Sequence, residues 1–467
     1  MATWTADALA EFDRGLAAIR EEFSVPGSFP GEVLAEAADA AARPFGPGAS
    51  EHVDRTDIDF LTLDPASSTD LDQAFAIEAA GDDVILRYAI ADVGWFVRPG
   101  GAIDAEARSR GVTVYLPDGR AGLHPPVLAE GAASLLPDGD RPAVVFVVRV
   151  ASDGAVTLDG VERAVVRNRA KLAYSTVTPD DLPAGFPELA RRIEAAERAR
   201  GADRIDFPEQ EVGHGRDGVG YTLRFRPRRT VERQGAALSL ATNMAVADAL
   251  FAARTGLFRT MPAVDERGER RLRHTAAAFG IDWPRGLSLE QFEPSLDRDD
   301  PRTAAFQLAI RRSGGRATYE PFQEGVVPWH SAVAATYCHA TAPLRRLADR
   351  YVIEASLAVA SGSAIPDDIA ESFDELPSIM DRSNGRAAQV DRAALDLAEA
   401  IVLSGREQDV FDAVVTDEDA RGVRIQVSDP AIVARVAAHR VDPGDPVLVK
   451  LISADPQSRS IRFERVG

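Results

Sequence analysis

The sequence predicts a mixed α/β domain, preceded by a small helical unit and followed by a five-stranded β-barrel of the OB class. Three observations carry this. Apolar residues recur at three- and four-residue steps at the start. From Asp57, apolar strand-like runs mix with helical stretches, and after residue 405 only short β-rich runs remain, separated by Gly, Asp and Pro. At 467 residues and 45% hydrophobic content, the chain can bury a sizeable core and form two or three domains.

The elements follow in order. Leu9, Phe12, Leu16, Ile19 and Phe23 predict an amphipathic helix over 5–24, ended by Val25-Pro26-Gly27, and an alanine-rich helix follows over 31–42. Residues 43–48, with two prolines and two glycines, form a linker, so 1–50 is the helical unit: a packing pair or a helix-turn-helix-like module. Strands follow at IDFLTL, FAIEAA and VILRYAIADV, with a hairpin turn at Gly81-Asp82-Asp83. Helices are predicted over about 187–201, 236–253 and 343–361, inside a central domain spanning 51–400. Residues 405–467 hold the barrel.

Composition narrows the chemistry. The single cysteine, Cys338, excludes an internal disulfide framework and a cysteine-rich zinc site, which leaves oxygen ligands and a hard cation. No run approaches the roughly 18 apolar residues of a membrane span, and the first residues lack a basic-then-apolar leader, so no membrane and a cytoplasmic location are expected. The net charge of −20 argues against a protein that coats nucleic acid, though not against a basic channel. Arginines cluster at 224–229, 270–273, 311–312 and 345–350; each cluster also suits a solvated face balanced by carboxylates.

The most informative stretch runs from Leu63 to Phe75, where Asp64, Asp70 and Asp72 share a loop between two apolar strands. Packed close, three acids repel one another, and a divalent cation such as Mg²⁺ resolves the conflict while keeping positions open for water and phosphate oxygens. Asp and Ser are also ordinary turn and capping residues. Arg345 is a second candidate, because a planar guanidinium gives a phosphate two parallel hydrogen bonds and stabilises charge developing on it. Pro343 suits a first helical turn, which would set Arg345 at a helix N-terminus. The competing expectation is an Arg345–Asp349 pair on that helix.

These residues resemble the RNase II/RNB exoribonucleases. Arg55–Phe75 is similar to that family's catalytic signature, Val114-Tyr115-Leu116-Pro117 to its YLP segment, Lys171-Leu172-Ala173-Tyr174 to its KLxY, and Thr341–Asp349 to its TSPIRRYxD motif, all in the family's order. The resemblance implies an RNB domain with a C-terminal S1-like RNA-binding barrel. It implies metal ions on Asp64, Asp70 and Asp72, with Asp72 indispensable. It implies that Tyr115 packs on the 3′-terminal nucleotide, that Tyr174 helps select ribose, and that Arg345 and Arg346 contact RNA. Asp391 lies where the family carries a helical glutamate. The implied activity is 3′ to 5′ hydrolysis of single-stranded RNA to nucleoside 5′-monophosphates with Mg²⁺ or Mn²⁺, by a monomer.

Three positions depart from the pattern: Gln73 for a carboxylate, Ala342 for serine and Leu347 for tyrosine. The helical start also replaces the cold-shock barrels common in the family. Two other classes therefore stay open, a catalytically degraded RNA-binding relative and a phosphatase using Asp70-Leu71-Asp72.

Overall fold

A six-stranded sheet organises the central domain in a computed structural model, which describes residues 4–46, 48–202, 209–214, 220–296, 303, 306, 309–310, 313–419, 422–437, 441 and 444–466. Arg311 and Arg312 lie outside the described residues. The strands begin with β1 (Val53–Asp54), β2 (Phe60–Asp64), β3 (Gln73–Ala80) and β4 (Asp83–Ala91). A small hairpin of β5 (Val114–Leu116) and β6 (Gly119–Ala121) stands apart, and β7 (Asp140–Val150) and β8 (Val156–Ala173) complete the sheet. Gly81, at φ 65°, makes the two-residue β3–β4 turn, a backbone state that costs glycine nothing.

The pairing order is β1-β8-β2-β3-β4-β7, and β7 also pairs with β8, so the ring of pairings closes. Closure is possible because β8 is long. Its first part runs antiparallel to β7, and its last part runs parallel to β2 up to the Ala173–Asp64 pair. The end of β8 is thereby carried to the end of β2.

Both faces of this sheet are buried, which explains why β4 and β7 are apolar almost throughout. On one face Leu86, Tyr88, Ile90, Phe146 and Val148 pack with the helices Thr230–Ala252 and Leu347–Ala360. The other face is lined by smaller residues, among them Ala74, Ala76, Ala89, Ala91 and Ala143, and admits the helix Gly31–Ala41. Thr230–Ala252 is long and apolar enough to cross a membrane, yet it is mostly buried and packs as a core helix. Phe146 is fully buried at the centre of the large-residue face. Phe146→Ala should lower unfolding free energy by about 3–5 kcal/mol, as transfer and cavity terms add; a denaturant midpoint matching the parent would contradict this packing.

The C-terminal strands Val410–Asp419, Gly422–Val427, Ile432–Val436, Pro446–Asp455 and Ser460–Arg465 form a five-stranded antiparallel sheet whose edge strands lie against each other, nearly closing an OB-type barrel. Val423, Ile425 and Val427 alternate inward along the second strand. A 37-residue helix, Asp367–Leu403, joins the barrel to the central domain.

The first helix, Ala6–Glu22, buries Phe12, Leu16 and Ile19 in one cluster with Leu397 and Ile401 of the long helix and with barrel residues such as Phe411 and Phe463. Gly31–Ala41 instead buries Val33, Ala37 and Ala40 against the sheet. The two helices belong to different cores. Two boundaries differ from expectation: the helix expected over 236–253 already begins at Thr230, and the helix predicted from Pro343 begins at Leu347, because residues 342–346 form a turn in which Arg345 and Arg346 N–H donate to the Ala342 carbonyl.

Candidate active site

Asp64 closes β2 and Gln73 opens β3, so the intervening loop emerges at one end of the sheet. It is held from several sides. Lys171 on β8 donates to the carbonyls of Ala66, at 3.0 Å, and Ser68, at 2.5 Å. Leu71 is fully buried, its N–H donates to Ser134 Oγ at 2.9 Å and its carbonyl accepts from Leu135. The Tyr174 N–H donates to the Asp64 carbonyl at 3.1 Å. The eight loop residues between these strands are thus fixed on a rigid frame, the condition for holding charged side chains in set positions.

Asp72 is buried and binds the arginine motif directly. Its Oδ1 accepts the Leu344 N–H at 2.8 Å and its Oδ2 accepts Arg345 Nε at 3.0 Å. Burial pushes the Asp72 carboxyl up to about 7, against the weaker pull of Arg345 and the Leu344 N–H. Arg345 is therefore turned to Asp72, and Asp349 takes Arg346 instead, at 2.7 and 3.0 Å. The predicted Arg345–Asp349 pair does not form, because Arg345 precedes the helix and points across to the loop. Asp349 also accepts the Ala342 N–H at 2.7 Å, which ties the turn to its helix. The Arg345 carbonyl accepts the Thr113 N–H at 3.0 Å, so the strand leading to Tyr115 is fastened to the same turn.

Asp70 binds a different arginine. Its Oδ1 accepts Arg120 Nη1 at 2.5 Å and its Oδ2 accepts the Tyr115 hydroxyl at 3.3 Å, while Arg120 also meets Glu130 at 2.9 Å. Tyr115 keeps half its surface exposed at the mouth of the site. Asp64 differs from both: its Oδ2 is buried with no hydrogen-bond partner, and burial with the nearby Asp70 pushes its carboxyl up to about 6 despite Arg345 and Lys171. Gln73 Oε1 accepts the Tyr88 hydroxyl at 2.6 Å. The Tyr174 phenol lies beside Asp64, and burial raises its pKa. Asp391 stands exposed on the long helix.

The loop thus brings Asp64, Asp70, Asp72, Gln73, Tyr115, Tyr174 and Arg345 to one end of the sheet. It does not gather the three carboxylates into a ready cluster: among the described residues no group of three or more His, Cys, Asp or Glu is placed to hold a metal ion. Two of the acids hold arginines. The unpartnered Asp64 oxygen, with Asp70 as its charged neighbour, nevertheless fits a hard divalent cation, since such an oxygen is costly to bury alone.

Several contributors were not singled out from the sequence. Arg120 pairs with Asp70, and Tyr88 with Gln73. Buried His124, whose pKa falls to about 3 chiefly through desolvation, bonds the Pro343 carbonyl beside the Asp72-binding turn. It lines a cavity of ≈ 380 Å³ next to Asp70, with Phe29, Arg110 and Arg120. Lys171 did carry a signal, as the first residue of the KLxY-like segment. The first two arginine clusters are braced by carboxylates: Arg224 and Arg226 on Glu211, Arg273 on Glu269.

Comparison with known families decides the assignment. The RNB domain matches residues 52–357, which include the whole carboxylate loop and the arginine turn. The chain belongs to the RNB family. The C-terminal S1 domain of RNase II-type exonucleases matches 409–466, the barrel. Among curated RNB relatives, Ribonuclease R of Thermotoga maritima is 26% identical over 456 residues, covering 91% of this chain and 63% of that protein. Ribonuclease R of Escherichia coli K12 is 29% identical over 327 residues, 64% of this chain and 39% of its own length. The chain thus spans less than two thirds of these relatives. The apo form of Mycoplasma genitalium RNase R shares the fold at TM-score 0.85 with 19% identity, over 98% of this chain and 78% of that one. Yeast Ssd1, described as a pseudonuclease, matches at TM-score 0.68 with 17% identity, over 94% and 58%.

Proposed function

We propose that this RNB-family chain is a metal-dependent 3′ to 5′ exoribonuclease that hydrolyses single-stranded RNA to nucleoside 5′-monophosphates, using Mg²⁺ or Mn²⁺, as a cytoplasmic monomer. The observation that carries this reading is the Asp72 carboxylate, held between the Leu344 N–H and Arg345 beside the unpartnered Asp64 oxygen. Asp64, Asp70 and Asp72 would hold the metal, which when bound supplies an activated water and neutralises phosphate charge. The chain's own residues do the rest. Arg345 presents the remainder of its guanidinium to the scissile phosphate and stabilises its developing charge. Tyr115, half exposed, stacks on the terminal nucleotide, Tyr174 beside Asp64 contacts the ribose, and Arg346 with Asp391 extends the RNA contact.

We divide the chain into residues 1–50, 51–400 and 405–467, a division supported by the two family matches. The first fifty residues act as a brace, consistent with helices that bury their apolar faces in two other cores.

A 5′-labelled single-stranded RNA with Mg²⁺ should shorten stepwise from its 3′ end. Release of internal fragments, or equal cleavage of a DNA oligomer, would refute the reading. Gln73 supports the second reading, a non-catalytic RNA-binding relative: it supplies no negative charge and is engaged by Tyr88. Such a protein binds the same RNA and leaves it intact. If the nuclease reading holds, Gln73→Asp should lower the Mg²⁺ concentration needed for half-maximal rate, since a carboxylate adds ligand charge. Overlaying titration curves would place residue 73 outside the metal's influence.

A further inference from the structure

The Leu257–Thr260 strand carries a cation without an anion. Arg259 stacks its guanidinium 4.6 Å from the Tyr319 ring centre, opposite it in register, and donates its own backbone N–H to the Tyr337 carbonyl at 2.8 Å. Its side chain makes no hydrogen bond or ion pair with any described residue. Two further guanidiniums flank it, Arg316 and Arg346, and together with burial they lower its pKa. Neither neighbour brings a spare carboxylate. Asp349 is occupied by Arg346 and the Ala342 N–H, and Asp381 meets Arg316 out at the surface, at 3.1 Å.

Nor can the neighbouring rings serve as anions. Tyr319 shares its hydroxyl with His339 Nδ1 at 2.7 Å, and burial keeps His339 neutral. Repulsion among three cations is unfavourable in a partly desolvated place, and an incoming anion with several acceptor oxygens removes it. A guanidinium fork fits phosphate oxygens best.

We propose that Arg259, with Arg316 and Arg346 around it, is a phosphate subsite that grips the RNA backbone upstream of the scissile bond. It rests on the exoribonuclease reading and assigns that substrate a second anchor. Position supports a backbone phosphate over a free anion. Arg346 directly follows Arg345, the residue on Asp72, so the subsite adjoins the turn that binds the carboxylate loop. An aromatic platform stands close by in the fold: Trp329, 47% exposed, accepts the N–H of Met261, two residues beyond Arg259, through its carbonyl. A base stacked there would extend the strand held by the arginines.

The test measures binding of a fluorescein-labelled single-stranded oligoadenylate by anisotropy in EDTA across a salt series, with thermal unfolding followed in parallel. Arg259→Gln should weaken binding roughly five- to tenfold and flatten the log–log salt slope by about 0.7–1, the loss of one phosphate contact. Arg259→Lys should recover part of the affinity. Arg316→Gln, at an exposed position that the fold tolerates, should weaken binding about two- to threefold. If Arg259→Gln unfolds, Arg316→Gln decides the matter. Folded variants with the parent's affinity and slope overturn the subsite alone; a parent that does not bind the oligomer overturns the nuclease reading with it.

Discussion

Asp72→Asn should abolish turnover, by a thousandfold or more in single-turnover rate, while RNA affinity measured in EDTA stays within about twofold of the parent. The structure explains why the loss is so large for an isosteric change. Asparagine can still accept the Leu344 N–H with its oxygen, but its amide then presents hydrogens to Arg345 Nε, two donors facing each other. On the proposed reading, one substitution thus removes a metal-ligand charge and releases the guanidinium that would meet the phosphate. Affinity is spared because Tyr115, Tyr174 and the surrounding arginines are untouched. Weakened binding with intact turnover would show that Asp72 only braces the turn.

Arg345→Lys should cost about a hundred- to a thousandfold in rate, with a smaller effect on RNA affinity. Lysine keeps the charge but gives a single point of contact where the guanidinium holds Asp72 through Nε and, in the proposed nuclease, would meet the substrate phosphate through its outer nitrogens. The more compact ammonium must choose between them. Asp72 is almost wholly buried, so leaving it unpaired is the costlier option, and the ammonium should settle there. A variant with full rate would mean that the phosphate is met by another cation, and Arg120, on Asp70, would be the next residue to replace.

Much of this architecture was legible in the sequence, for reasons that differ by element. The first two helices, β2 to β4 and the barrel announced themselves through periodicity, because each has one face in water or stands between clear turn residues. β7 and β8 carried no such pattern. Their role in closing the ring of strands depends on β8 pairing with β7 over one stretch and β2 over another, which no local signal encodes. At the site, the residue types were readable and their partners were not. Asp72 and Arg345 are separated by 272 intervening residues, and only the closed sheet shows that they meet; spacing alone favoured an Arg345–Asp349 pair within one helix. Arg120 was hidden for the same reason, as a lone arginine in a turn-rich stretch. Gln73 was visible as a departure from the family pattern, but its bond to Tyr88 needed the β3–β4 pairing.

The shared core of the first helix, the long helix and the barrel sets an order of events during synthesis. Phe12, Leu16 and Ile19 wait for Leu397, Ile401 and the strands that end at Arg465 before they can be covered. At about 5–20 residues per second, the ribosome leaves this apolar stripe exposed for roughly 20–90 seconds, long enough for aggregation or capture by a chaperone to compete with folding. Closure, when it comes, brings Arg459 to Glu22 at 2.5 Å, tying together segments 437 positions apart in the chain. Shortening that wait, by permuting the chain so that the 6–22 helix is made next to the barrel, should raise the yield of folded protein without touching a residue of the site.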